Sequence, residues 1–223
     1  MIGNAQNLNQ KHFAMRLRIT FSKTEAMRFT SHLDVYRTWE RTLRRANLSL
    51  GYSQGFKPHP RINLACALPL GFTSENDIVD VWLDTDIAVD QINSSLNSAL
   101  PPGLLIQFTQ IIEENWPTLQ KQLYASEYLV TVFDPIDNVN QKIPDLMSQD
   151  AILRQRQGKN YDLKPLISNL EYLNENDKNE QIIRMILCAQ PAATGRPDEV
   201  ILALGGNPEA CRFHRYKLWF ANP

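Results

Sequence analysis

The stretch that decides the fold runs from residue 15 to residue 46 and reads MRLRITFSKTEAMRFTSHLDVYRTWERTLRRA. Its first seven residues alternate between apolar and polar side chains, the apolar ones being Met15, Leu17, Ile19 and Phe21. Alternation with a period of two predicts a half-buried β-strand. Further along, the apolar period becomes helical, so the sequence predicts a strand followed by a helix.

The helix is predicted to begin at Ser31, whose hydroxyl can cap it, with Asp34 at the capping-box position three residues later. One face carries the apolar residues Val35, Trp39, Leu43 and Ala46. A flanking face carries a row of cations at helical spacing. We call this row the arginine ridge; it consists of Arg37, Arg41, Arg44 and Arg45.

Outward from this stretch, the first half predicts the order strand, helix, strand, strand, helix, strand. Its remaining strands are predicted over the apolar run Ile62–Leu70, Ile78–Leu83 after a turn at Gly71–Asp77, and Leu104–Ile112. Its second helix is expected to be capped by Asp86 and to turn Ile92 and Leu96 inward.

The second half repeats this order more loosely. Strands are predicted over Glu127–Phe133, Gln181–Ala189 and Phe213–Phe220, helices over Val139–Met147 and Pro197–Leu204, and either a strand or a helix over Leu163–Asn174. Two successive β-α-β-β-α-β units predict an α+β fold with tandem ferredoxin-like domains, each an antiparallel sheet backed by two helices. The expected division is a disordered extension over 1–14, with Met15 as an alternative start, domains over 15–114 and 127–223, and a connector over 115–126.

Composition excludes several classes of protein. No run approaches the roughly 18 apolar residues of a membrane span, and the polar start resembles no signal peptide, so we expect a cytoplasmic protein without membrane contact. The cysteines, Cys66, Cys188 and Cys211, are widely spaced, which argues against disulfides, a zinc ribbon or an iron–sulfur cluster. No phosphate loop or dinucleotide fingerprint occurs, and neither a metal nor a cofactor is expected.

Charge is distributed unevenly along the chain. Residues 1–61 contain 11 Lys/Arg and three Asp/Glu, whereas residues 62–223 contain 12 and 21, although the net charge is only −1. Such asymmetry indicates a polyanionic partner at the basic end. Like charges along a helix are locally unfavourable, so we expect the arginine ridge either to bind phosphates or to form ion pairs with acidic residues of the second half.

The 51–61 loop, Gly51–Arg61, reads GYSQGFKPHPR. Aromatic rings interleaved with cations are typical of surfaces that bind single-stranded nucleic acid. The candidate RNA-binding residues in the loop are Tyr52, Phe56, Lys57, His59 and Arg61. The alternative is a rigid connector whose aromatic rings cover the edge of the sheet.

His32 lies in the predicted first helical turn, where the positive end of the helix dipole lowers the pKa of an imidazole. A neutral imidazole suits a general base, and it equally suits a structural histidine that binds a backbone carbonyl. His32 and His59 are therefore the candidate catalytic residues if the protein is an enzyme.

Four segments together resemble a known family: residues 28–34 (RFTSHLD), residues 37–46, residues 52–62 (YSQGFKPHPRI) and residues 67–71 (ALPLG). They closely resemble the radical-SAM-linked bacterial proteins that carry the DUF2344 domain. That resemblance implies a radical S-adenosylmethionine enzyme as partner. The chain itself lacks the C-x-x-x-C-x-x-C motif of such enzymes, so the catalyst would be another polypeptide.

Three functions are consistent with these observations. The first is a non-catalytic accessory module that binds structured or single-stranded RNA for modification by the radical enzyme. A weaker similarity to the Cas6-type CRISPR endoribonucleases suggests a metal-independent ribonuclease with His32 or His59 as base. The third is a protein–protein adaptor that binds no nucleic acid.

Overall fold

The structure is a computed structural model that describes residues 15–221. It shows a mixed α+β protein built around one nine-stranded, mostly antiparallel sheet, with a separate two-stranded hairpin and five α-helices in the described part. None of the helices within 15–221 has the length and apolar character needed to cross a membrane. The expected extension over 1–14 lies outside the described residues.

The first half follows the predicted order closely. Its elements are β1 (Met15–Lys23), α1 (His32–Arg45), β2 (Ile62–Leu64), β3 (Thr73–Leu83), α2 (Val89–Ala99) and β4 (Leu104–Ile112). The Ser31 hydroxyl accepts the Asp34 backbone N–H at 3.2 Å, so the predicted cap of α1 is confirmed. The predicted cap of α2 is wrong, because Ala88 occupies that position and makes no side-chain hydrogen bond.

The strands of this half pair in the order β2-β3-β1-β4, and every pairing is antiparallel. Both helices cover one face of these strands, where the inward residues Trp39, Leu43, Ile92 and Leu96 are fully buried. Burial of a Trp or Leu side chain contributes about 1.5–3 kcal/mol, so this core anchors α1 firmly. The predicted inward face of the helix is confirmed.

The second half contains more elements than predicted. They are α3 (Leu119–Gln122), β5 (Leu123–Val132), α4 (Val139–Ser148), β6 (Leu153–Arg156), β7 (Lys159–Asp162), β8 (Ile167–Glu175), β9 (Gln181–Gln190), β10 (Ala193–Thr194), α5 (Pro197–Ala203) and β11 (Cys211–Phe220). The main strands pair in the order β8-β9-β5-β11, again antiparallel. The segment Leu163–Asn174, which was predicted to be either a strand or a helix, is therefore mainly the strand β8.

Three predicted boundaries are wrong for reasons of tertiary packing. The turn predicted at 71–77 is mostly strand, because Ser74 and Asp77 pair with β1 on one edge, and residues 73 and 74 pair in parallel with β11 on the other. The pairing with β11 occupies the same edge of β3 that β2 uses further along, and β2 ends at Leu64 rather than continuing to residue 70. The strand predicted over 127–133 begins at residue 123, within the expected connector.

The hairpin of β6 and β7 was not predicted. Gln157 and Gly158, between its strands, have φ values of 49° and 76°. Positive φ at both central residues is the geometry of a type I′ hairpin turn. The dipeptide Gln-Gly is a weaker signal for that turn than Asn-Gly, which explains why the periodicity alone did not find it.

The two halves meet through a buried ion pair between β11 and β3. The Arg215 guanidinium reaches the Asp77 carboxylate through Nε and Nη2, both 2.8 Å from Oδ1, and both side chains are buried. Arg215 Nη1 also donates to the Ala67 carbonyl at 2.9 Å. Because these bonds replace the water lost on burial, the pair can connect the two groups of strands into one sheet.

Replacing Asp77 with Asn should strongly destabilise the protein, because the Arg215 charge would remain buried without its counter-ion. We expect Asp77→Asn to lower the free energy of unfolding by about 3–5 kcal/mol in urea denaturation. Glu40→Gln, which breaks the exposed Arg44–Glu40 pair, should cost far less, because solvent screens that pair. Equal losses in the two variants would contradict a special role for the buried pair.

Candidate functional site

The arginine ridge lies on the side of α1 that faces away from the core. At 3.6 residues per turn, its arginines point almost opposite to Val35, Trp39 and Leu43, which pack against the sheet. All four guanidinium groups are exposed. The ridge is thus more outward than the flanking position that the sequence suggested.

The ion pairs of the ridge are local. Arg37 lies 3.4 Å from Asp34, and Arg44 lies 3.0 Å from Glu40, both within α1 and exposed to solvent. Within residues 15–221, no ion pair joins the ridge to the second half, so the interpretation of the ridge as an inter-half ion-pair surface is wrong.

Ion pairs do join the two halves, but with the charges reversed from that expectation. The second half supplies the cations. Arg215 pairs with Asp77, and Arg212 lies 3.1 Å from Glu25. The acids that meet them belong to the first half.

The 51–61 loop is a narrow projection held at its base. Tyr52 pairs with Pro60 as an isolated bridge, and the Ser53 N–H donates to the His59 carbonyl at 2.8 Å. The tip is exposed, and Phe56 in particular is 99% accessible to solvent. The loop therefore covers the sheet edge only at its base, and its tip presents a large aromatic ring to solvent.

The loop packs along α1, which brings it next to the ridge. The Tyr36 hydroxyl donates to the Pro60 carbonyl at 3.1 Å. On the other side of the loop, the Arg44 guanidinium lies 5.8 Å from the centre of the Tyr52 ring, within cation–π range. The ridge and the loop thus form one continuous surface of cations and aromatic rings.

Arg61 is a candidate residue that does not join this surface. Its guanidinium stacks on the Trp82 ring at 4.2 Å, and burial lowers its pKa. Trp82 lies opposite Arg16 in the β1–β3 register, on the face of the sheet that α1 does not cover. Arg61 is therefore directed away from the ridge.

The two candidate histidines have different surroundings. His59 Nδ1 lies 2.9 Å from Ser53 Oγ, which also accepts the His59 backbone N–H at 3.1 Å. His32 is the first residue of α1, and its pKa is lowered, first by burial and then by the positive charge of Arg215, while Asp77 opposes the shift. The direction agrees with the sequence prediction; His32 is exposed overall, and the partial covering of its ring is the leading cause of the lowered pKa.

Part of the positive charge counted in the sequence is internal. Arg16 and Arg18 are buried and share the Asp80 carboxylate, at 2.6 and 2.7 Å. The buried Lys23 ammonium donates to the backbone carbonyls of Arg28, Thr30 and Phe72. These three cations are not available to a polyanion, which leaves α1 and the loop as the main exposed basic surface of residues 15–61.

An apolar patch beside the start of α1 was missed by sequence reasoning. It consists of Phe29, Leu33 and Leu70, which are 72%, 55% and 61% exposed. Two hydrogen bonds hold the patch together, from Arg28 Nε to the Gly71 carbonyl at 2.9 Å and from the Gly71 N–H to the Arg28 carbonyl at 3.0 Å. Leu33 could have been recognised, because it is out of phase with the buried face of α1; Phe29 gave no periodic signal.

A shallow pocket of about 310 Å³ lies where the halves meet, lined by Ser22, Lys23, Thr24, Glu25, Thr73, Ser74, Glu75 and His214. His214 Nδ1 lies 2.9 Å from Thr73 Oγ1, and its Nε2 lies 3.6 Å from Glu75. Among the described residues, no group of three His, Cys, Asp or Glu side chains is arranged to hold a metal ion. The pocket is mixed in charge and points to no single class of ligand.

Comparison with known proteins finds one family. A family model described as an uncharacterized protein conserved in bacteria (DUF2344) matches residues 16–197. No curated protein matches the chain.

Solved structures give only distant similarity. In a Cbf5–Nop10–Gar1 complex, the match has 14% identity and a TM-score of 0.46 and covers 91% of this chain, which spans only 48% of that one. A protein described as a glycine cleavage system transcriptional repressor has 11% identity and a TM-score of 0.27, with 90% of this chain and 98% of that one covered.

The lowered pKa of His32 is measurable by NMR. The Cε1 proton of His32 should titrate with a midpoint below the ordinary value of 6.5. Because the unfolded chain then binds this proton more tightly, stability falls as the pH drops below about 6.5, and His32→Gln should reduce that loss. A midpoint at or above 6.5 would contradict the environment that burial and Arg215 create.

Proposed function

The chain belongs to the DUF2344 family, and we propose that it is a non-catalytic module that binds RNA and presents it to a radical S-adenosylmethionine enzyme. The observation that carries the proposal is the continuous surface of the arginine ridge and the 51–61 loop. This surface combines exposed guanidinium groups with exposed aromatic rings, the two features with which proteins bind single strands.

The ridge supports phosphate binding through its exposure and its incomplete neutralisation. Its four arginines are accompanied on α1 by only two acids, Asp34 and Glu40, and Arg41 makes no ion pair among residues 15–221. Solvent-exposed arginines bind phosphate through two parallel N–H donors, and each contact releases counter-ions from the nucleic acid. A polyanion therefore gains free energy from binding along this face.

The wider architecture is part of the proposal. We assign both halves to the ferredoxin-like type, with the first domain over 15–114 as predicted and the second beginning with β5 at residue 123 rather than at residue 127. Support comes from the strand orders, because β2-β3-β1-β4 and β8-β9-β5-β11 both follow the ferredoxin-like arrangement of a β-α-β-β-α-β unit. The hairpin of β6 and β7 is then an insertion in the second domain.

The partner enzyme is proposed from the resemblance of the segments between residues 28 and 71. The experiment that tests the whole proposal is affinity purification from a bacterium that expresses the tagged full chain, with sequencing of the bound RNA and identification of the bound proteins. Enrichment of a defined RNA together with a radical S-adenosylmethionine enzyme is the expected result. Recovery of the enzyme without RNA would instead assign the chain as a protein–protein adaptor.

A metal-independent endoribonuclease is the second candidate. The observation that favours it is the lowered pKa of His32, since a neutral imidazole can accept a proton from a ribose hydroxyl. Cleavage of bound RNA in the presence of EDTA, abolished by His32→Ala or His59→Ala, would support this function and overturn the non-catalytic one.

Removing the ridge should change how RNA affinity depends on salt. Arg37→Ala, Arg41→Ala and Arg44→Ala together remove three phosphate contacts, and the slope of log K against log[salt] should flatten by about two to three units. The matched control replaces three exposed cations of the second half, Arg156, Lys159 and Lys178, with alanine. An equal change in the control would show that only net charge matters.

Removing the exposed ring of the loop should weaken RNA binding without affecting the fold. Base stacking on an aromatic ring contributes about 1–3 kcal/mol, so Phe56→Ala should raise the Kd for single-stranded RNA by roughly ten- to a hundred-fold. Tyr216→Ala, which removes an exposed ring from β11, is the control. Unchanged affinity in Phe56→Ala would remove the loop tip from the binding surface.

A further inference from the structure

We infer that the bound strand is single and runs along α1, from the 51–61 loop to the apolar patch of Phe29, Leu33 and Leu70, with its phosphates on the arginine ridge. The inference rests on the proposed function and deepens it, because it defines the form of nucleic acid and its path. The 51–61 loop supplies one stacking position. The apolar patch, which phosphate binding alone does not explain, supplies the second.

The residues along the path lie on one line of α1. Leu33, Arg37, Arg41 and Arg44 are spaced by four, four and three residues, so they share one face of the helix. From Leu33 to Arg44 this face is roughly 16 Å long at 1.5 Å per residue. At about 3.4 Å per stacked nucleotide, that length accommodates about five nucleotides.

An aromatic ring with an arginine beside it lies at each end of the line. The Arg28 guanidinium lies 4.8 Å from the centre of the Phe29 ring, and the Arg44 guanidinium lies 5.8 Å from that of Tyr52. Phe29 is so exposed that the ring face opposite Arg28 is open to a base. The Phe29 end can therefore combine base stacking with attraction to the adjacent phosphate, and at the other end, where Tyr52 is half-buried, the exposed ring is that of Phe56 in the same loop.

The patch is held in place from inside the protein. Lys23 Nζ binds the carbonyls of Arg28, Thr30 and Phe72, which lie on either side of Phe29 and directly beyond the Leu70–Gly71 turn. Because the supporting backbone is ordered before binding, the strand does not have to organise it, and less conformational entropy is lost.

Stacking on exposed rings also decides between a single strand and a duplex. In a double helix the faces of the bases are covered by their neighbours, and only unpaired bases can be splayed onto protein aromatic rings. A surface with rings at both ends of a cationic line therefore favours an unpaired segment.

The test measures fluorescence anisotropy of labelled oligouridylates of three, five, eight and twelve nucleotides with the full chain. Affinity should rise up to about five nucleotides and change little beyond that length. Phe29→Ala should weaken binding of the eight-nucleotide strand by about five- to thirty-fold and that of the three-nucleotide strand much less. The matched control is Phe133→Ala, because Phe133 is also exposed and has Arg212 beside its ring at 5.8 Å.

The outcomes separate this inference from the function on which it rests. If RNA binds and depends on Phe56 and the ridge, but not on Phe29 at any length, the path is overturned and the RNA-binding function stands. Equal affinity for a blunt RNA duplex would also overturn the single strand. If no oligonucleotide binds, both fall. An eight-nucleotide oligodeoxyuridylate tests whether the ligand is RNA or DNA, since tighter binding of DNA than of RNA would overturn RNA as the ligand.

Discussion

The rest of the structure depends on the buried ion pair between Arg215 and Asp77. Separating these charges from water is costly, so the pair is tolerated only because the guanidinium also binds the Ala67 carbonyl and the Cys66 sulfur. A buried pair of this kind adds little net stability over an apolar replacement, whereas removing one partner is strongly destabilising. We therefore expect its role to be specificity, by favouring the register in which Arg215 meets Asp77 and β11 lies beside β3.

The same junction determines the shape of the candidate site. Lys23 lies within the electrostatic influence of Asp77 and Arg215, and its ammonium holds the carbonyls that precede α1. His32, the first residue of α1, is affected by the same two charges. The start of α1 and the apolar patch are thus tied to the centre of the molecule, while the ridge and the tip of the 51–61 loop extend from it into solvent.

The features that the sequence could predict are those that depend on residues close together in the chain. The strand β1, the helix α1 and its cap were predictable, because alternation, helical period and the Ser31–Asp34 spacing act within a few residues. The start of β3 was not, since polar residues 73–77 become strand through distant partners, with β1 about 50 positions earlier on one edge and β11 about 140 positions later on the other. Alternation also placed Arg16 and Arg18 on the polar side of β1. It did not reveal that both are buried there and paired with Asp80. For the site, sequence pattern found the ridge and the loop but could not find the position of Phe29.

The repulsion between like charges on α1 is weaker evidence for a bound anion than the sequence alone suggested. Repulsion between neighbouring exposed arginines is weak because solvent screens it, and the contacts with Asp34 and Glu40 offset part of it. Core burial of Trp39 and Leu43 exceeds that cost several-fold, so α1 is stable without any bound anion. The case for a ligand therefore depends on what surrounds the ridge. Phe29 and Phe56 expose large apolar area that contributes nothing to the core; Phe29 precedes the start of α1, and Phe56 is at the tip of the loop whose Tyr52 contacts Arg44.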